Sequence, residues 1–380
     1  MGGGILQLAA FGAQDLYLTG NPQITYFKTV YRRHTNFATE FIKQGAIGDA
    51  HISDSENLAQ FIISRNGDLI YKMFIEVTRN RSELVSIKNP GAAMIKEASI
   101  EIGGQLIDRH FSQWLEIFAE LTEPNPSGLE KTNPDDGTLF QKMSHMGGVS
   151  GEQYSKDNIF VPLQFWFNRN PGVALPLIAL QYHEVKIILR INSIANCEIA
   201  NAGSYTELTL WVDYIFLDTD ERRRFTEMSH EYLIEQLQVN EISPKSKTLN
   251  LNHPVKELIW VGKPDATNPT KFKDPLGTNW KLILNGQDRF AERPLIYFTR
   301  TQVWQHHTGH GGIGENKDRI AVYSFALEPE LHQPSGTCNF SRIDNAELVS
   351  STTSEHCTVY AVNYNILRIM SGMGGLAYSN

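Results

Sequence analysis

DLIYKMFIEV (Asp68–Val77), IEIGGQLIDRHF (Ile100–Phe111) and the Phe-rich IFVPLQFWF (Ile159–Phe167) follow one another in the first half of the chain. KELIWVG (Lys256–Gly262), LILNGQDRF (Leu282–Phe290) and IAVYSFALEP (Ile320–Pro329) follow in the same order about 180 residues later. Each set opens on a β-branched and aromatic run that favours a strand. It then passes through a Gly-Gln or Asn-Gly-Gln turn to an Asp-Arg pair and a Phe. Glycine suits such a turn because it adopts positive φ without a Cβ penalty. An offset of this size means duplication of a whole domain rather than a solenoid of short repeats. Two consecutive β-sandwiches are therefore expected.

Outward from these blocks, strands are also expected at Gln60–Ser64, His183–Ile191, Leu208–Leu217 and Val359–Met370. Helical periodicity is scarcer. It predicts helices over Pro22–Arg33, capped by Asn21, and over Gln113–Leu121, with a turn or two around Glu227–Gln236. Glu123–Lys156 and Lys263–Asn279 are rich in Pro and Gly and read as long loops, which need a rigid scaffold. Many antiparallel strands with long connections suit an all-β jelly roll better than a tight meander barrel. The expected organisation is an N-terminal arm (1–36), a first jelly roll (37–218), a connector (219–231) and a second jelly roll (232–380). In the connector, Arg222, Arg223 and Arg224 are flanked by Asp218, Asp220 and Glu221, the pattern of a locally neutralised, solvated linker.

Composition bounds the function. With 380 residues, 41% hydrophobic and 20% charged, the chain is globular and long enough for two or three domains. It carries 34 Lys and Arg against 42 Asp and Glu, a net charge of −8, which provides no field for wrapping nucleic acid directly. Cys197, Cys338 and Cys357 lack the close spacing of zinc or redox motifs and fit a reducing compartment. The opening MGGGILQLAAFGAQD has no basic n-region, and the apolar run Val173–Leu180 is broken by Pro176, so neither a signal peptide nor a membrane span is expected.

No catalytic, cofactor-binding or metal-ligating residue is expected. His306, His307 and His310, with Glu315, are the nearest approach to a metal cluster, but they share a Gly-rich stretch without a His-x-His pair and read as an exposed, mobile loop. Cys338 and Cys357 lack a nucleophile signature, and the glycine clusters lack the Lys-Ser/Thr of a phosphate loop. Asn80-Arg81-Ser82 and Asn339-Phe340-Ser341 fit the N-glycosylation pattern, yet that modification is luminal and is expected at neither; Asn339 reads as part of a packed turn.

Nine blocks carry a family resemblance: Gly12–Phe37, Ser64–Ile70, Glu101–His110, Pro171–Ile187, Trp211–Arg222, His230–Gln238, Leu284–Phe290, Gln333–Ala346 and Asn363–Asn380. In this order they resemble the major capsid proteins of nucleocytoplasmic large DNA viruses, above all the chlorella-virus and mimivirus-like group. The resemblance implies a double jelly roll, two eight-stranded sandwiches side by side. It also implies a homotrimeric, pseudo-hexagonal capsomer that tiles an icosahedral virion shell and is made and assembled in the host cytoplasm. Minor capsid proteins are the implied partners besides the chain itself. Compact loops, as between Gly262 and Lys281, depart from relatives with long outward insertions. Without the resemblance, a carbohydrate-binding or metal-dependent jelly-roll protein would be the alternative. Met1–Lys43 is basic by about +2, and Ile24, Phe27 and Tyr31 fall at i, i+3, i+7. This arm is expected on the inner side of the capsomer, against minor capsid proteins or the internal viral membrane, or else beneath its own first jelly roll. The small residues of Met370–Asn380 are expected to permit close approach of another chain or to form a plain surface tail.

Overall fold

The computed structural model describes residues 3–79, 89–123, 158–197, 205–243, 247–264, 269–273, 277–312, 316–351 and 356–378. The chain divides into two compact units at Asn36/Phe37. In the first, α1 (Gly3–Ala9) and α2 (Leu16–Thr19) flank a short 3-10 turn, and none of these elements buries a residue. The helix expected over Pro22–Arg33 is absent. Asn21 sits at φ 50°, left-handed, rather than in the extended conformation of a helix cap. Thr25, Thr29 and Val30 are β-branched and disfavour helix, and Thr25 instead accepts from the Phe27 amide at 3.3 Å.

The second unit begins with β1 (Phe37–Gln44), β2 (Ala46–Gly48), β3 (Asn57–Ile62) and β4 (Leu69–Arg79). There follow α3 (Pro90–Met94), β5 (Ile95–Ile102), β6 (Gln105–Phe111), α4 (Ser112–Thr122), β7 (Ile159–Pro162), α5 (Trp166–Arg169), β8 (Leu175–Pro176), β9 (Val185–Ile191) and β10 (Tyr205–Leu217). Sheet 1 has the order β1-β10-β4-β7, with β8 beside β4; sheet 2 has the order β2-β3-β9-β5-β6. All pairings are antiparallel. Alternation fills the space between the sheets: Met73, Ile75 and Val77 of β4 meet Ile187, Leu189 and Ile191 of β9 in one core. The strand expected over Ile159–Phe167 stops at Pro162, which cannot continue a ladder, and Trp166–Arg169 turns into helix.

The connector forms α6 (Thr219–Glu227), where the Asp218 carboxylate accepts from the Thr219 amide at 2.8 Å. Arg222 pairs with Asp68 at 2.9 Å and Arg223 with Asp220 at 3.7 Å, which neutralises the arginine run locally. The helical turn expected around Glu227–Gln236 is a strand. β11 (His230–Ile242) pairs along its whole length with β19, and its middle residues are buried on both faces, which hides the period-2 signal. The rest comprises β12 (Pro254–Gly262), β13 (Asn279–Leu284), β14 (Gln287–Asp288), β15 (Arg293–Pro294), α7 (Gln302–His306, entered through a π turn over Tyr297–Thr301), β16 (Ile320–Ser324), β17 (Cys338–Asn339), β18 (Ala346–Ser350), β19 (Cys357–Met370) and β20 (Met373–Leu376). Sheet 3 has the order β11-β19-β12-β16, with β17 on β12 and β20 on β19; sheet 4 pairs β13 with β14, β15 and β18. Leu258, Trp260 and Val359 of sheet 3 face Trp280, Leu282 and Leu348 of sheet 4 in a second core.

The two halves repeat one plan. β1-β10-β4-β7 and β11-β19-β12-β16 have the same order, in each the first strand of the half beside its last long strand and every neighbour reached by a crossover, so the sequence echo is a structural duplication. Its turns agree residue by residue. Ile102 pairs with Gln105 across Gly103 (φ 58°) and Gly104 (φ 81°), and Leu284 pairs with Gln287 across Asn285 (φ 49°) and Gly286 (φ 80°). Both are two-residue loops with positive φ at each central position, the requirement that selects Gly-Gly and Asn-Gly. The result is the all-β double jelly roll expected above.

Candidate functional site at the seam of the two sandwiches

One helix of the first half packs on the second. α4 carries Trp114, Ile117 and Leu121 at i, i+3, i+7, hence on one face. They cluster with Ile259 and Val261 of β12, Ile320 and Val322 of β16 and Tyr360 of β19, on the side of sheet 3 away from its own core. The Trp114 and Tyr360 rings lie 5.6 Å apart, and the Tyr360 hydroxyl donates to Gln113 Oε1. The last carbonyls of α4 accept from the Gly-rich stretch: Gly309 N–H donates to Leu121 O and His310 N–H to Glu120 O, each at 2.7 Å. A Cβ at Gly309 would stand 2.1 Å from Glu120 O, so close approach, not mobility, demands this glycine.

Polar groups fix the register of the seam. Asp108 Oδ2 of β6 lies 3.0 Å from His110 Nε2, while its Oδ1 accepts from the Leu237 amide of β11 at 3.0 Å. Gln236 donates to the Ile107 carbonyl and accepts from Asn365 at 2.9 Å. Beside α4, Glu235 of β11 takes Arg169 of α5 at 2.8 Å and Lys256 of β12 at 2.7 Å. Glu257 lies 3.0 Å from His307 Nε2, and the opposite ring nitrogen lies 3.1 Å from Glu330. Burial opposes a charge on His307, whose side chain is 2% exposed, but Glu257 and Glu330 outweigh it and push its pKa up to about 9. Burial likewise opposes charge on both carboxylates, yet His307 holds each below the usual range, helped at Glu257 by Lys256 and Arg169. Such a buried network is a clamp: deleting one member strands its partner's charge.

The structure thus corrects one expectation. His307 is not on an exposed loop, and its sequence neighbours diverge: His306 Nδ1 lies 3.0 Å from the Leu327 carbonyl, whereas His310 caps α4. Glu315 and the Asn80–Ser82 acceptor lie outside the described residues, as does most of Glu123–Lys156. Among the described residues, no group of three or more His, Cys, Asp or Glu is placed to hold a metal ion, and no helix is long and apolar enough to cross a membrane. Cys338 is a half-buried thiol whose pKa burial pushes up, and Cys357 is buried. Asn339 accepts from the Ser341 amide at 3.1 Å within a turn. The glycines near the C-terminus serve contacts within the chain. β20 folds back on β19, His183 Nδ1 lies 2.9 Å from Gly374 O, and a Cβ at Gly374 would meet Leu180 at 2.6 Å. The seam itself has no local sequence signature. Its members come from β6, α4, α5, β11, β12, β16, β19 and the residues after α7, and only the i, i+3, i+7 spacing of α4 was available to find it.

Two family models match the chain, the major capsid protein N-terminus over residues 25–218 and the large eukaryotic DNA virus major capsid protein over residues 221–375. Among similar proteins, the major capsid protein of Pyramimonas orientalis virus is 48% identical and that of Paramecium bursaria Chlorella virus 1 is 40% identical, each covering all of both chains. A chain of the PBCV-1 virus capsid quasi-atomic model superposes with a TM-score of 0.78 at 36% identity, over 94% of this chain and 100% of that one. The Faustovirus major capsid protein shares the fold, with a TM-score of 0.66 at 13% identity over 96% of each chain.

Proposed function

The chain belongs to the major capsid protein family of large eukaryotic DNA viruses, structural components of the virion shell rather than enzymes, and on that premise we propose that three copies close into a capsomer of pseudo-sixfold outline. Self-association is how the family builds its lattice. What carries the trimer is the repeated sheet order within one chain, because two similar sandwiches locked at a seam give six similar units from three chains. Cyclic closure needs heterologous contacts, one patch against a different patch of the next copy. Obligate interfaces of this kind commonly bury about 2000 Å² or more, whereas contacts between capsomers are smaller and more polar. Assembly takes place in the host cytoplasm, and the arm up to Asn36, with Leu6, Tyr17 and Phe27 exposed, contacts minor capsid proteins or the internal membrane. Light scattering on the purified protein should give three times the chain mass, and electron microscopy a six-sided outline. A monomer at micromolar concentration would overturn the proposal.

A further inference from the structure

The duplication leaves one contact unmatched. In the second sandwich, α4 covers the outer side of sheet 3, and every residue of β12 from Val255 to Gly262 is buried. The corresponding outer side of sheet 1 carries Phe41, Phe74, Phe160 and Trp211. Trp211 and Phe74 are cross-strand partners, the Phe41 and Phe74 rings lie 5.8 Å apart, and Trp211 Nε1 donates at 2.7 Å to Glu76, the strand partner of Phe160. Phe41 remains 47% and Phe160 38% exposed. On the same side, the buried Oδ1 of Asp213, opposite Phe41, has no hydrogen-bond donor among the described residues.

Helix α6 reaches only the Ile215 and Leu217 end of this face, through Phe225, and leaves Phe41 and Phe160 exposed; a helix for that part of the face has a counterpart in the fold. α4 lies between β6 and β7; in the second half, the π turn and α7 lie between β14 and β16. Both helices carry a tryptophan. Trp114 of α4 is 2% exposed against sheet 3, whereas Trp304 of α7 is 80% exposed, with Arg300 one turn and Ile296 two turns before it along the same side. We propose that Trp304 and Ile296 of one copy pack on the outer side of sheet 1 of the next copy, as α4 packs on sheet 3 within the chain. The contact is heterologous, one patch being helical and the other a sheet, so it can close a ring and repeats the intrachain seam at each junction between chains. An exposed tryptophan entering an aromatic face is the kind of anchor that dominates interface energy.

This assignment rests on the trimer proposed above, and the test separates the two. Sedimentation of the full chain is compared for wild type, Trp304→Glu, Phe41→Glu and the conservative Trp304→Phe. The two glutamate variants should keep the wild-type circular dichroism, because both positions are exposed, and should raise the concentration needed for trimers at least tenfold; Trp304→Phe should remain trimeric. Co-expressed Trp304→Cys and Phe41→Cys chains, treated with a short bismaleimide, should give an interchain cross-link joining the two introduced thiols. If wild type is trimeric while both glutamate variants trimerise normally and the mixed chains do not cross-link at these thiols, the assignment is wrong and the trimer stands. A monomeric wild type overturns both.

Discussion

His307 shows how one side chain makes the seam depend on pH. Its folded pKa of about 9 lies above the ordinary histidine value of 6.5. The folded state therefore binds a proton that the unfolded chain releases between those values. The stabilisation is complete below about pH 6.5 and is lost as pH rises through 9; a shift of this size corresponds to roughly 3 kcal/mol. The thermal midpoint should accordingly fall by a few degrees between pH 6.5 and 9.5. In the double variant His307→Gln/Glu257→Gln the midpoint should be flat over that window, and an unchanged slope would remove His307 as the cause. Gly309 is the second position where one atom decides. Gly309→Ala places a methyl 2.1 Å from Glu120 O, so the loop must withdraw from the end of α4 and leave its carbonyls without these donors. A loss of about 2 kcal/mol or more in denaturant unfolding is expected, whereas Gly286→Ala, with nothing near its Cβ, should cost only its positive φ, on the order of 1 kcal/mol.

Among the elements, α4 and α7 form a natural pair for mutagenesis. Trp114→Ala removes a fully packed aromatic from between α4 and sheet 3 and should cost about 3–5 kcal/mol in chemical unfolding of the isolated chain. Trp304→Ala, exposed on α7, should cost under about 0.5 kcal/mol in the same assay. Equal losses would mean that the two helices do not differ as their burial indicates. The same elements show what sequence can convey. Gln113–Leu121 is legible because its apolar spacing has a sheet to meet. Ile24, Phe27 and Tyr31 have identical spacing yet form no helix, since exposed side chains bury too little to overcome β-branched neighbours. β4, β9 and β12 stand out because one face or both are apolar, whereas β11 places Glu235 and Gln236 in buried polar contacts, and the period of its pattern is lost. The turns at Gly103-Gly104 and Asn285-Gly286 are legible because their φ angles restrict the residue type. The clamp of Glu257, His307 and Glu330 is not, because it joins positions far apart in the chain that no local rule relates.

For the whole molecule, charge sets the conditions of assembly. Three copies at −8 each give a particle of −24 before any lattice forms. Like-charged capsomers repel over the Debye length, about 30 Å at 0.01 M salt and 8 Å at 0.15 M. Contacts between capsomers are short-ranged, so they gain once the repulsion is screened to distances shorter than a side-chain layer. In the trimer proposed above, the contact between chains is expected to rest mainly on apolar burial, which modest salt does not weaken. The two levels of assembly should therefore separate. Sedimentation should report the same trimer at 0.01 M and 0.5 M sodium chloride, while light scattering from flat arrays should appear only as ionic strength rises above about 0.1 M. Arrays that form at low salt and dissolve at high salt would show that attractive ion pairs between capsomers outweigh the net charge. The arm enters at the same scale, and its basic residues, Lys28, Arg32 and Arg33, lie beyond Met1–Gly20, so that segment can be removed without touching them. Removing Met1–Gly20 should leave trimers and their salt response unchanged and reduce recovery of complete shells from infected or co-expressing cells. Normal shells from the shortened chain would exclude an essential inner contact for that segment.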